Sequence, residues 1–205
     1  MNAIKEEEEK IPPSDDSLLI SLLNNGNNLF VFSEKENSIQ KFELPFFKNY
    51  LYLKVWVHSS IPPISLFYLW DRKNDIFAID GTKERIFENL PKLGLVLNSK
   101  TIVPYLRFVL DCVWSSEGSL RLTEYYDEIT FSCKPTDDEM NFLLKNIRPA
   151  KVTPSENGYN IDATVIFGDS VFQSKIVLQD NGIFEIESEN RLCEGYRCLR
   201  PIFLE

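Results

Sequence analysis

Asn157-Gly158-Tyr159-Asn160-Ile161-Asp162-Ala163-Thr164-Val165-Ile166-Phe167-Gly168-Asp169-Ser170-Val171-Phe172-Gln173-Ser174-Lys175-Ile176-Val177-Leu178 decides the fold class. Tyr159, Ile161, Ala163, Val165 and Phe167 alternate with Asn160, Asp162, Thr164 and Ile166, the period of a strand with one face turned inward. Gly168-Asp169 then supplies a two-residue turn with glycine first, a hairpin signal. Phe172, Ser174, Ile176 and Leu178 mark the return strand, and Asp180-Asn181-Gly182 turns the chain once more into Ile183–Glu187. The stretch predicts a three-strand antiparallel meander.

Working back from the meander, Thr136-Asp137-Asp138-Glu139 has the form of a capping box, in which hydroxyl and carboxylate satisfy reciprocal backbone donors at a helix start. Met140, Leu143, Leu144 and Ile147 follow at i, i+3, i+4, i+7, and Pro149 stops the helix. Short strands are predicted at Ser119–Leu122 and Ile129–Ser132. Upstream, Ile102–Trp114 is apolar nearly all round and predicts a buried helix, opened at Ser99 or Thr101 and ended by Gly118. Pro104 suits its first turn, where backbone N–H groups lack partners.

The N-terminal part is also β-rich. Leu29–Phe32, Leu51–Val57, Ser65–Trp70 and Ile76–Ile79 carry β-branched and aromatic residues between turn-forming segments. The last two form a predicted hairpin around Asp71–Asp75. Ahead of them, Ser14 precedes a helix with Asp15 and Asp16 in its first turn, an apolar stripe of Leu18, Leu19, Leu22 and Leu23, and a stop at Gly26. Residues 1–13 read as an acidic, disordered tail. The fold class expected is α+β: antiparallel sheet regions packed with two main helices, over a single domain spanning residues 14–205. The alternative is two subdomains meeting near residues 133–136.

Bulk properties narrow the function. The chain has 205 residues, 43 % hydrophobic, enough to bury a core without a metal or disulfide staple. A net charge of −9 opposes a phosphate backbone, so nucleic acid is not an expected partner. The opening Lys5-Glu6-Glu7-Glu8-Glu9-Lys10 is the reverse of a signal peptide, and no apolar run is long enough to span a bilayer. A cytoplasmic location with no membrane association is therefore expected, and Cys112, Cys133, Cys193 and Cys198 are expected as free thiols.

His58 is the single histidine, which removes multi-histidine metal sites; no phosphate loop, dinucleotide fingerprint or nucleophile elbow is present. No metal, cofactor or catalytic residue is assigned. Among the cysteines, Cys193 and Cys198 have Arg191, Arg197 and Arg200 close in sequence, an arrangement that lowers a thiol pKa. Arg107 is the most informative charge, on a helix otherwise built for burial. A structural pair with Asp111 or Glu117 is one reading; the other is a guanidinium that holds an anionic ligand bidentately, with Glu117, Glu124 and Asp80 nearby. A separate candidate is the strand face carrying Tyr50, Tyr52 and Trp56 with Lys54, opposite the inward Leu51, Leu53, Val55 and Val57.

Asp80-Gly81-Thr82, Ile86, Asn89, the Leu95–Asn98 approach to Tyr105-Leu106-Arg107-Phe108, Glu117-Gly118 and Glu124 form one pattern. Asn157-Gly158-Tyr159, Ala163-Thr164-Val165, Gly168-Asp169, Phe172 and Asn181-Gly182 form a second. Together, over residues 65–190, they resemble a family of uncharacterised bacterial proteins of proteobacterial type, although Ser119-Leu120 stands where that family has Pro-Phe. The resemblance implies bacterial origin and one folded unit, and brings no activity or catalytic residue with it. The function expected is a non-catalytic binding protein with a protein partner. The alternative is a small-molecule-binding or enzymatic domain with an aromatic pocket addressed by Arg107.

Overall fold

The structure, a computed structural model, describes residues 14–26, 31–33, 35–116, 118–131, 135–195 and 198–199. It is an α+β fold with antiparallel sheets. The described residues fall into two compact units. One takes in those up to Ile79 together with Lys92–Gly94; the other takes in Asp80–Pro91 and those from Leu95 onward. Pro135 and Thr136, beside the subdomain boundary considered from sequence, lie within the second unit.

In the first unit, strands β1 (Asn37–Glu43), β2 (Leu51–Val57), β3 (Ile64–Trp70) and β4 (Ile76–Ala78) form an antiparallel sheet in that order. The β3–β4 hairpin closes with Trp70 opposite Ile76, around the predicted polar loop. Leu51, Leu53, Val55 and Val57 turn to one face, where Leu19 and Leu23 of helix α1 (Ser14–Gly26) pack with Phe32, Tyr68 and Trp70. The buried stripe of α1 is narrower than its leucines suggest. Leu19 and Leu23, one turn apart, are fully buried, whereas Leu18 is exposed.

One expectation needs correction here, and one strand was missed. Val31 and Phe32 belong to no strand, and Leu29 and Phe30 lie outside the described residues. Phe32 is held instead by Asn24, whose side-chain oxygen accepts from the Phe32 N–H at 2.7 Å and whose amide donates to the Phe32 carbonyl at 3.0 Å. Strand β1 is the missed element. Its mixed residues lack clean alternation, and full pairing from Asn37↔Val57 to Glu43↔Leu51 extends it.

In the second unit, short helices α2 (Lys83–Phe87) and α3 (Leu90–Leu93, whose last two residues belong to the first unit) precede α4 (Ile102–Asp111). Helix α4 starts after Thr101 as expected but stops at Asp111, short of Trp114. Trp114 and Ser115 form strand β5 (Trp114–Ser115), which pairs with β6 (Gly118–Thr123). Gly118 is thus part of a hairpin and does not end the helix.

Strand β7 (Thr130–Phe131) leads to α5 (Asp137–Asn146), whose capping box is formed as the sequence requires. Strands β8 (Lys151–Ser155), β9 (Gly158–Phe167), β10 (Ser170–Gln179) and β11 (Phe184–Cys193) follow, and β12 (Cys198–Leu199) pairs with β7. The main sheet runs β11-β10-β9-β6-β5. Strand β9 shares its second edge between β6, opposite residues 164–167, and β8, opposite residues 158–162.

The meander is present, with Phe167 opposite Ser170 across Gly168-Asp169. Its centre is buried on both faces. Ile161, Ala163 and Val165 are covered on one, while Thr164 and Ile166 are covered on the other. On that second face Ile166 and Val171 pack with Ile129 and with Leu143 and Ile147 of α5. Residues 163–166 therefore lose the polar-out alternation expected of a one-sided sheet.

Candidate functional site

Arg107 lies midway along α4, half-buried. Its Nη2 donates to Glu124 Oε2 at 2.8 Å, and its Nη1 stands 3.7 Å from Glu128 Oε1. Glu124 Oε1 accepts from the Ala150 N–H at 3.0 Å, and Glu128 Oε2 accepts from the Glu124 N–H at 2.9 Å and the Thr123 hydroxyl at 3.0 Å. The partners of Arg107 are thus Glu124 and Glu128 instead of Asp111, and Glu117 lies outside the described residues.

The network ties α4 to the loop after β6 and to the start of β8. One cation faces two carboxylates whose remaining lone pairs are largely occupied by protein donors, so the group has a structural use of its charge. Arg107→Ala is expected to lower the stability of the second unit by about 1–2 kcal/mol, because the two carboxylates then face each other without a cation. Thermal unfolding reads this as roughly 2–4 °C per kcal/mol. Glu124→Gln combined with Arg107→Ala is expected to cost less than the sum of the two changes.

Asp80 is separate from this network. Its Oδ1 accepts from the Thr82 N–H at 3.0 Å and the Thr82 hydroxyl at 2.7 Å, a closed local turn. Burial pulls its carboxyl pKa up, but those two hydrogen bonds and the nearby Arg85 charge outweigh it and hold the group below the usual carboxylate range.

The aromatic strand also separates. Tyr50 is buried, and its hydroxyl donates to Asp75 Oδ2, which also pairs with Lys92. The Lys92 ammonium lies 5.9 Å from the Tyr50 ring and 5.1 Å from the Phe77 ring. Burial raises the Tyr50 pKa, with Asp75 adding to it, while the hydrogen bonds from Lys92 and Tyr50 lower that of Asp75. Tyr52 stacks on Phe67 with ring centroids 5.8 Å apart, and the Lys54 ammonium, 4.1 Å from the Trp56 ring, belongs to a buried side chain. Lys54 and Trp56 thus do not form an open basic platform. His58 is exposed, with Nε2 3.0 Å from the Ser38 hydroxyl.

The cysteine reading changes as well. Cys112 is buried. Burial raises the Cys193 pKa, the Val171 N–H opposes that rise, and the Glu139 and Asp169 charges add to it. The shift is opposite in direction to that expected from neighbouring arginines, because burial is its largest cause; Arg191 itself is paired with Glu194. Arg197, Arg200 and the side chains of Cys133 and Cys198 lie outside the described residues. Among the described residues no group of three or more His, Cys, Asp or Glu is placed to hold a metal ion, and no helix is long and apolar enough to cross a membrane.

Two features of the second unit went unnoticed in the sequence. One is the outer edge of the main sheet, strand β11, where Glu185, Glu187, Ser188, Glu189, Asn190 and Arg191 are exposed. A bulge pairs Ile176 with Ile186 and Lys175 with Ser188, leaving Glu187 as the extra residue. The run Glu185-Ile186-Glu187-Ser188-Glu189 was the available signal. The other is a concavity of ≈ 370 Å³ bounded by Tyr125, Tyr126, Leu144, Ile147, Arg148 and Pro149, with Tyr125 and Leu144 exposed. A smaller one of ≈ 190 Å³ is lined by Gly81, Lys83, Leu110, Val113, Leu120 and Phe184. Arg107 lines neither.

No family model matches the chain, and neither a curated protein nor a solved structure matches it.

Proposed function

We propose that this protein is a non-catalytic interaction protein that takes a basic, extended segment of a protein partner along the outer edge of β11. The observation that carries the proposal is the exposed acidic edge: Glu185, Glu187 and Glu189 stand on a strand that pairs, among the described residues, only with β10. A sheet edge offers backbone donors and acceptors to an added strand. The three carboxylates repel a second copy of the same edge and favour lysine- or arginine-bearing segments, in keeping with a net charge of −9. The reading with a small-molecule pocket loses its anion-binding group, because the Arg107 charge is met by Glu124 and Glu128.

A fluorescent peptide alternating lysine and valine is expected to bind in low salt, with affinity falling as salt is raised. Reversing Glu185, Glu187 and Glu189 to lysine is expected to weaken binding at least roughly tenfold while circular dichroism shows the fold retained. Equal affinity for the reversed variant, or for a peptide alternating glutamate and valine, would sink the proposal.

A further inference from the structure

Phe184 and Ile186 alternate along β11 with Glu185, so they share one face of the sheet and Glu185 takes the other. Their pairing agrees: Phe184 stands opposite Leu178 and Ile186 opposite Ile176, both buried residues of β10. On that face they line the ≈ 190 Å³ concavity with Leu110 of α4, Leu120 of β6 and Val113. Val113, Leu120 and Ile186 are only half-buried, which leaves apolar surface open inside it. We infer that this concavity takes one apolar side chain, the size of leucine or phenylalanine, from the segment that adds to the β11 edge. The inference rests on the edge reading above and adds what the edge alone lacks, a preference at one residue of the partner.

Parity, size and charge support this occupant. Among the described residues β11 pairs only with β10, so a strand added to its free edge places every second side chain beside Phe184 and Ile186. The intervening side chains fall beside Glu185, which is exposed. A cavity of about 150 Å³ holds a benzene ring, so ≈ 190 Å³ admits a leucine or phenylalanine side chain. The charged residues that line it, Lys83 and Glu84, are of opposite sign, and the Lys83 ammonium lies 5.9 Å from the rings of both Phe87 and Phe184. The concavity thus favours a neutral side chain, and the face of Glu185 a basic one. The pattern recognised is an apolar residue flanked on each side by a basic one.

The test uses the full chain and a fluorescent peptide alternating lysine and serine, with leucine in place of one central serine. The reference peptide has alanine at that position. The leucine peptide is expected to bind at least roughly tenfold tighter. Val113→Trp fills the concavity, and Ile186→Ser removes part of its wall. Each variant that keeps the parent circular dichroism is expected to bind the two peptides equally, with the salt dependence from the lysines unchanged. Equal affinity of the parent for both peptides, or a preference that survives in a folded variant, overturns the inference, while salt-dependent binding leaves the edge reading standing. If neither peptide binds, both fail.

A photoreactive diazirine analogue of leucine at the same peptide position gives a readout that needs no protein variant. Its adducts, located by peptide mapping, are expected at Val113, Leu120 or Ile186 of the parent protein. Adducts formed only at other residues overturn the inference.

Discussion

Replacing Gly158 with alanine is expected to destabilise the second unit by more than about 4 kcal/mol, or to prevent its folding. Gly158 opens β9 between two strands, paired with Ser155 of β8 and Gln179 of β10. Its φ is +144°, a conformation that side-chain-bearing residues rarely adopt. A Cβ there would lie 2.0 Å from the Leu178 carbonyl oxygen and 2.9 Å from the Gln179 Cα, both backbone atoms. Relief requires moving β10 itself and so breaks the ladder at the start of the meander.

Gly195→Ala is the control, because φ is +81° but nothing among the described residues lies within 4 Å of the added Cβ. It should cost only about 1 kcal/mol of backbone strain. Chemical denaturation of both variants checks the pair. Similar stabilities would mean that β9 and β10 do not approach as described.

Tyr105→Ala is expected to cost about 3–5 kcal/mol, and Tyr105→Phe about 1–2 kcal/mol. Tyr105 lies on the buried side of α4 with no exposed surface, and its hydroxyl donates to the Gly182 carbonyl at 2.6 Å. Alanine removes the ring and leaves a cavity; phenylalanine keeps the ring and leaves a buried carbonyl short of its donor. Burial raises the phenol pKa, so the hydroxyl keeps its proton and the bond persists through neutral and mildly alkaline pH. Thermal unfolding of both variants separates packing from hydrogen bonding. A phenylalanine variant as stable as the parent would show that the hydroxyl contributes nothing net.

Elements with a strong local signal were legible. Strand β2 matches its predicted bounds, Leu51–Val57, because a short β-branched and aromatic run sits between turn-forming residues. The α5 start is equally clear, since Thr136 and Glu139 meet within four residues. Strand β1 was missed because its pairing with β2, not its own pattern, defines it. Helix α4 was drawn too long because the apolar Val113 and Trp114 continue its composition, yet the Trp114 N–H bonds to the Gly81 carbonyl and the residue enters β5.

The candidate site was less legible than the fold. Arg107 and Glu124 were both singled out, and they meet at 2.8 Å, but as partners that neutralise each other instead of converging on a ligand. Tyr50, Tyr52 and Trp56 were grouped on strand parity, yet Tyr50 precedes β2 and is held by Asp75.

By itself the sequence determined the α+β class, the capped start of α5 and the three-strand meander, because strand period, turn glycines and helix caps are properties of a backbone a few residues long. Only the tertiary structure decided that β9 shares one edge between β6 and β8, that Arg107 answers to Glu124 and Glu128, and that β11 is left as an acidic edge. Each of those outcomes depends on which distant groups are desolvated together. Residues 107 and 124 stand 17 apart in the chain, and two nearer carboxylates, Asp111 and Glu117, offered the same charge. Packing of α4 against β6 selected among them.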